Sequence, residues 1–135
     1  MSYLFDTNVC IAIMNDSSPS VRSAFREFLI EGETAFLSTV VLFELNYGVQ
    51  KSSHPYGNQQ RLREFMIPSI ELLEFTEEDA IAAGMIRAAL ERQKQPIGPY
   101  DTLIAGQALA RGLTVVTANV REFARVEGLK WVDWS

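Results

Sequence analysis

The chain is poor in the residues on which much binding and redox chemistry depends. It has one cysteine, Cys10, and one histidine, His54, in 135 residues. A lone thiol closes no internal disulfide, and the apolar setting Val9-Cys10-Ile11 reads as a small core side chain rather than a reactive group. His54, beside Pro55 in a polar stretch, reads as a surface residue. Long apolar runs are also missing: none approaches the length of a membrane span, and the segment after Met1 meets Asp6 too soon for a secretory leader, so a cytosolic setting is expected. Basic residues are in deficit, 12 Lys and Arg against 17 Asp and Glu, for a formal net charge of −5. That balance argues against a protein that coats nucleic acid non-specifically. It does not exclude nucleic acid, because carboxylates gathered around divalent cations lower the count in the same way. No repeat, low-complexity tract or linker breaks the sequence, so residues 1–135 are expected to form one domain.

Hydrophobic residues make up 47% and aromatics 10%, enough for a real core and against disorder. Tyr3-Leu4-Phe5 reads as a buried strand leading through Asp6-Thr7-Asn8 into an apolar helix. Ser20 is read as the cap of a helix through Glu31, with Val21, Phe25, Phe28 and Leu29 on one stripe. Ala35–Thr39 follows as a second strand, then a helix over Val40–Val49. Residues 51–58 are polar and turn-rich, and 59–67 suggest a helix stopped by Pro68. Ile70–Phe75 is a third strand. Thr76-Glu77-Glu78-Asp79 matches a capping box for a helix to about Gln95, with Ile81, Met85, Ala88 and the stem of Arg92 on one stripe. Gly98-Pro99 opens another helix, Pro at its first position, and Gly112 stops it. Leu113–Thr117 and Leu129–Val132 complete the strands, with Trp131 and Trp134 expected to pack at an edge. This alternation predicts a three-layer α/β/α domain with a mainly parallel sheet of four to five strands.

Several acids fall in places that core building does not require. Asp6 follows the first strand, where ligands bind in open parallel sheets, although Asp6 or Asn8 could equally cap the next helix. Asp101 stands in the first turn of an apolar helix, where it could also simply complement the helix dipole. Glu44 lies mid-helix among apolar neighbours, and no cap or dipole explains it; an ionised carboxylate there demands a counter-ion or a metal. Asn119 and Glu122 follow the fourth strand, with the spacing of a capping box as the plain alternative. Right-handed crossovers would bring Asp6 and Asn119/Glu122 to one sheet edge, with Glu44 and Asp101 on helices leaning over it. Two carboxylates ~4 Å apart repel by about 4 kcal/mol at an effective dielectric near 20, so a cluster of them calls for a cation. Oxygen ligands without His or Cys select hard ions, Mg²⁺ or Mn²⁺, over zinc. The chemistry suggested is hydrolysis of a phosphate ester by water.

Asp6-Thr7-Asn8, Phe43-Glu44-Leu45-Asn46-Tyr47-Gly48, Gly98-Pro99-Tyr100-Asp101-Thr102-Leu103-Ile104-Ala105 and Val116-Thr117-Ala118-Asn119-Val120-Arg121-Glu122-Phe123, in that order, closely resemble the PIN-domain nucleases, and within them the VapC toxins of bacterial toxin–antitoxin pairs. The likeness runs nearly end to end. It implies a PIN-like fold and an Mg²⁺-dependent endoribonuclease, Mn²⁺ substituting, whose acidic quartet falls on Asp6, Glu44, Asp101 and Glu122. Many members carry Asp at the last place; the longer arm of Glu122 suits contact with the metal through water. Thr117 and Asn119 match polar supporting positions, and Asn8 joins them. The resemblance further implies structured RNA as substrate, most often tRNA near the anticodon, with translation stopped by the cut. It implies a small VapB-type antitoxin covering the site, a homodimer and larger toxin–antitoxin assemblies, operator DNA bound only through the antitoxin, and no membrane. Arg92, Lys94 and Arg121, near the motif loops, are the candidate RNA contacts, with plain surface charge as the alternative for each. A receiver-like signalling domain would also place acids at strand ends, but its phosphoacceptor Asp after a mid-chain strand and its Lys near the last one are missing.

Overall fold

A computed structural model of the chain describes residues 2–66 and 70–135. Five short strands form one sheet: β1 (Ser2–Phe5), β2 (Thr34–Ser38), β3 (Ile70–Leu73), β4 (Thr114–Val116) and β5 (Lys130–Val132). They pair wholly in parallel in the order β3-β2-β1-β4-β5. The central strands are buried on both faces through Leu4, Phe5, Val115 and Val116, which is why they read as unbroken apolar runs. The chain builds outward from β1 to β2 and β3, then returns to lay β4 on the other side of β1. Ligands of open parallel sheets bind at such a reversal, beyond the carboxyl ends of the strands. There Phe5 pairs with Val116, and Asp6 and Thr117 directly follow the two strands.

The helices are α1 (Thr7–Asn15), α2 (Pro19–Ile30), α3 (Thr39–Lys51), α4 (Pro55–Met66), α5 (Glu77–Arg92), α6 (Pro99–Arg111) and the single turn α7 (Val120–Phe123). The three-layer α/β/α architecture is the expected one, with the sheet parallel throughout. Several details differ; among them, Leu29, expected on the buried stripe of α2, is 39% exposed. Ser18, not Ser20, caps α2: its hydroxyl accepts from the Val21 N–H, and Pro19 takes the first helical position. Helix α4 starts at Pro55, inside the stretch read as loop, because proline is suited to a first turn even among polar residues. The expected stop at Pro68 lies outside the described residues. Helix α5 ends at Arg92 and buries Asp79, Ala83, Ile86 and Leu90, leaving Ile81 and Met85 59% and 69% exposed. Only Trp134 packs inward, against Tyr3, Phe5 and Phe28, while Trp131 stays exposed.

Two features fix α6, the helix that carries Asp101. Gly106 lies against α5 so closely that a Cβ on it would come within 2.6 Å of the Ala83 backbone nitrogen. Asp79, expected to serve structure through its capping box, does so: it accepts from the Thr76 N–H at 2.9 Å. Fully buried, it also accepts from Arg111 Nε at 3.2 Å and from Gln107 Nε2 at 3.2 Å, both on α6. Burial would push its carboxyl up, but the bonds from Arg111 and Thr76, with the Arg111 charge, outweigh it and hold the group below the usual carboxylate range. At the far end of α6, Gly112 takes a left-handed φ of 66°, which terminates the helix as anticipated.

Candidate functional site

Asp6 leaves β1 with one oxygen on each side of the sheet reversal. Its Oδ1 accepts the Val9 N–H at 2.9 Å and so caps α1, while Oδ2 accepts from Thr117 Oγ1 at 2.6 Å, beyond β4. Capping and placement in the site are therefore not alternatives; one carboxylate does both. The side chain is only 4% exposed, and burial raises its pKa, opposed by the Thr117 and Val9 bonds and aided by the negative charges of Glu44 and Asp133. Cys10, fully buried beneath it, is a core residue whose thiol is pushed well up by that burial, with Asp6 adding to it.

Glu44 is half-buried on α3 and accepts from Thr7 Oγ1 at 2.7 Å. Its surroundings are less apolar than the sequence implies, because the adjacent Phe43 and Tyr47 side chains face solvent. Asp101 sits in the first turn of α6, and its Oδ2 accepts from Asn119 Nδ2 at 3.1 Å. The same amide donates to Glu122 Oε2 at 2.8 Å, and Glu122 Oε1 accepts the Gly98 N–H at 2.6 Å. The capping box read from Asn119 and Glu122 is thus replaced by a bridge: Asn119 makes no side-chain cap for α7 and spends its amide on the two acids. Burial first, then the negative charges of Glu122, Asp6 and Glu44, raise Asp101 to about 6. Glu122 goes the other way, lowered by the Asn119 and Gly98 bonds and by Arg125 and Arg121 nearby.

Asp101 therefore feels the charges of the other three predicted acids and Asp6 feels that of Glu44, although Glu44 is 38 positions from Asp6 and 57 from Asp101 along the chain. Among the described residues, no three His, Cys, Asp or Glu side chains are already gathered as a metal-binding group. Each acid is instead held by neutral donors: Thr117, Thr7, Asn119 and the Gly98 amide. The donor set still fits a hard divalent cation, being all oxygen and mutually repulsive. Asn8 is exposed on the first turn of α1. Arg92 and Lys94 are exposed at the end of α5, Lys94 with a left-handed φ of 58°, and Arg121 is exposed on α7.

Three contributors went unread in the sequence. Thr7, directly after Asp6, orients Glu44 rather than α1. Asp133, after β5, adds its charge to Asp6. Arg125 sits near Glu122 and ties the segment after α7 to the Pro96 carbonyl at 3.0 Å. Only Thr7 had a local signal, a hydroxyl in a strand-end motif; the other two depend on β5 and α7 folding back.

The family model described as "PIN domain" matches residues 3–129. The chain is 42% identical to the tRNA(fMet)-specific endonuclease VapC of Shigella flexneri, covering 100% of this chain and 99% of that one. It is 35% identical to Ribonuclease VapC2 of Rickettsia felis over 99% of this chain and 98% of that protein. Its backbone matches a chain of the "Crystal structure of VapBC2 from Rickettsia felis bound to a DNA fragment from their promoter" with a TM-score of 0.92 at 35% identity, covering 100% of both. A second solved structure, "DNA bound VapBC from Salmonella typhimurium", gives 0.89 at 38% identity over 100% of this chain and 99% of that one.

Proposed function

The chain belongs to the PIN-domain family, in its VapC branch of ribonucleases, and from that premise we propose that it is a divalent-metal-dependent endoribonuclease acting on tRNA as the toxin of a toxin–antitoxin pair. One observation carries the reading: Asp101, on α6 beside the reversal point of a parallel sheet, is raised to about 6 by burial and then by the charges of Glu122, Asp6 and Glu44, acids that lie far from it along the chain. Asp6, Glu44 and Asp101 would hold Mg²⁺, with Mn²⁺ able to replace it and Glu122 reaching it through water. When bound, that ion supplies a polarised phosphoryl oxygen and a water of lowered pKa. The chain's own groups then do the positioning. Thr117 keeps Asp6 turned to the sheet edge, and Thr7 draws Glu44 down from α3. Asn119 holds Asp101 and Glu122 at a fixed separation, while Glu122 anchors the Gly98 turn from which Asp101 projects. Asn8, exposed beside Asp6, supports the first motif, and Arg92, Lys94 and Arg121 would meet backbone phosphates at the rim.

The relatives' names extend the reading to substrate and partners. The Shigella flexneri protein is named as specific for tRNA(fMet), so initiator tRNA is the first substrate to try, and its cleavage would stop translation in the cytoplasm. A VapB-type antitoxin would neutralise the enzyme and carry the assembly to operator DNA, as the DNA-bound VapBC structures suggest. A toxin homodimer would form the centre of that assembly. The test is purified protein with end-labelled tRNA, with and without Mg²⁺. Discrete cleavage that is lost with EDTA and with Asp101→Asn supports the proposal; undiminished cleavage in either case, or none by the wild type in Mg²⁺, refutes it.

A further inference from the structure

Resting on that reading of the acids as ligands of a divalent cation, we propose that Arg125 is a positioning residue for Asp101: it straps segment 96–98 to the helical turn after β4 and so fixes where α6 presents its acid. Beyond α7 the turn continues through bonds between residues three apart, the Arg125 N–H donating to the Glu122 carbonyl and the Val126 N–H to the Phe123 carbonyl, both at 3.1 Å. Side chains three apart eclipse in such a turn, so Asn119, Glu122 and Arg125 face one way. They meet the start of α6 in reverse order. Asn119 Nδ2 donates to Asp101 Oδ2 at 3.1 Å, Glu122 Oε1 accepts the Gly98 N–H at 2.6 Å, and Arg125 Nη1 donates to the Pro96 carbonyl at 3.0 Å. Two segments are thus laced at three points, with Asp101 at one end and Arg125 at the other.

The sequence shows why a strap is needed. Pro96-Ile97-Gly98-Pro99 carries two residues without a backbone N–H, so it has few donors with which to hold itself. Its anchor is firm, because Phe123 and Val126 on either side of Arg125 are 0% and 5% exposed. Glu122 is lowered first by the Asn119 and Gly98 bonds and then by the charge of Arg125, so it stays ionised and its bond to the Gly98 amide is charge-assisted. Other roles for Arg125 make different forecasts. As a bare positive charge it repels a cation, and removing it would tighten metal binding. As a phosphate contact it raises RNA affinity and leaves metal binding alone. As a strap, its removal loosens Asp101 and weakens metal binding.

The test titrates Mn²⁺ into the full chain by calorimetry, without RNA, for wild type, Arg125→Met, Arg125→Gln and Arg125→Lys. Arg125→Met should bind Mn²⁺ roughly tenfold more weakly, the loss expected when the partner of a ligand-bearing segment is cut. Arg125→Lys keeps a donor and the charge and should stay within about twofold of wild type, with Arg125→Gln between the two. In the metal-free protein the Gly98 amide proton, drawn downfield by its carboxylate acceptor, should move upfield in Arg125→Met and in Arg125→Gln; the second variant serves if the first does not fold. Unchanged or tighter Mn²⁺ binding in the folded variants, or an unmoved Gly98 signal, overturns the strap. So does a salt slope of tRNA binding reduced by about one with Mn²⁺ affinity intact, which would make Arg125 a phosphate contact. Cleavage of tRNA by the unmodified chain, measured in parallel, separates the two claims: Mn²⁺ binding that depends on Arg125, without cleavage, refutes the nuclease reading alone. A wild type that binds no Mn²⁺ refutes both.

Discussion

Asp101→Asn should make the metal-free protein more stable at neutral pH while abolishing its activity. In the unfolded chain this carboxyl releases its proton near 3.8, and in the fold near 6. Between those values the native state holds the additional proton, so stability falls as pH rises through the window and stays lower above it. The full shift corresponds to about 3 kcal/mol. The side chain is only half-buried, and solvent screening reduces the figure to on the order of 1–2 kcal/mol. Asparagine keeps an oxygen for the Asn119 amide and carries no charge, so the variant should gain that amount at pH 7.5 in EDTA. Most of the gain should vanish by about pH 4, where the wild-type group is protonated in the fold. Urea denaturation of both proteins across this range measures it, and added Mg²⁺ should then stabilise the wild type and not the variant. A variant no more stable than wild type at pH 7.5 in EDTA, or a gain of the same size at pH 4, would refute the claim that repulsion and burial strain this site.

Other perturbations test the scaffold and the rim. Gly106→Ala drives a methyl into the Ala83 backbone and should cost roughly 1–3 kcal/mol, read by denaturant midpoint; no loss would mean that α5 and α6 have room to part. Arg111→Met strands the buried Asp79 carboxylate and should cost about 3 kcal/mol at pH 7, less in acid as Asp79 protonates. An Asp79→Asn, Arg111→Met double variant should recover part of that loss. Lys94→Ala should weaken RNA binding and flatten its salt dependence; an unchanged slope would leave Lys94 as an ordinary surface charge.

The parts of the site legible in sequence were those fixed by local punctuation. Asp6 stands where an apolar run meets a helix start, and Pro99 sets Asp101 in a first turn, so both positions followed from a few neighbouring residues. The sheet followed from alternation, because its central strands are buried on both faces. Glu44 stands out in sequence for its apolar neighbours, and that signal is only partly physical: Phe43 and Tyr47 look like core in sequence, but α3 turns them to solvent. Asn119 shows the opposite limit. Its spacing to Glu122 is that of a capping box, and only the arrival of α6 beside the loop after β4 diverts its amide to Asp101. Helix α5 carries two apolar stripes, and what decides between them is Gly106, since a residue without a side chain on α6 lets the small Ala83 face become the buried one. The role of Thr7 is not legible in sequence, because a polar residue after a strand reads as part of a cap and its acceptor lies 37 residues away.

Joint binding of one kind of ion by these carboxylates is directly measurable. Crystals of the full chain soaked in Mn²⁺ and measured at the manganese absorption edge would locate it. The expected result is an anomalous peak within about 2.0–2.2 Å of oxygens from both Asp6 and Asp101, with Glu44 turned towards it, and no such peak in Asp101→Asn. Anomalous density elsewhere on the molecule, or none between those side chains at saturating Mn²⁺, would contradict it.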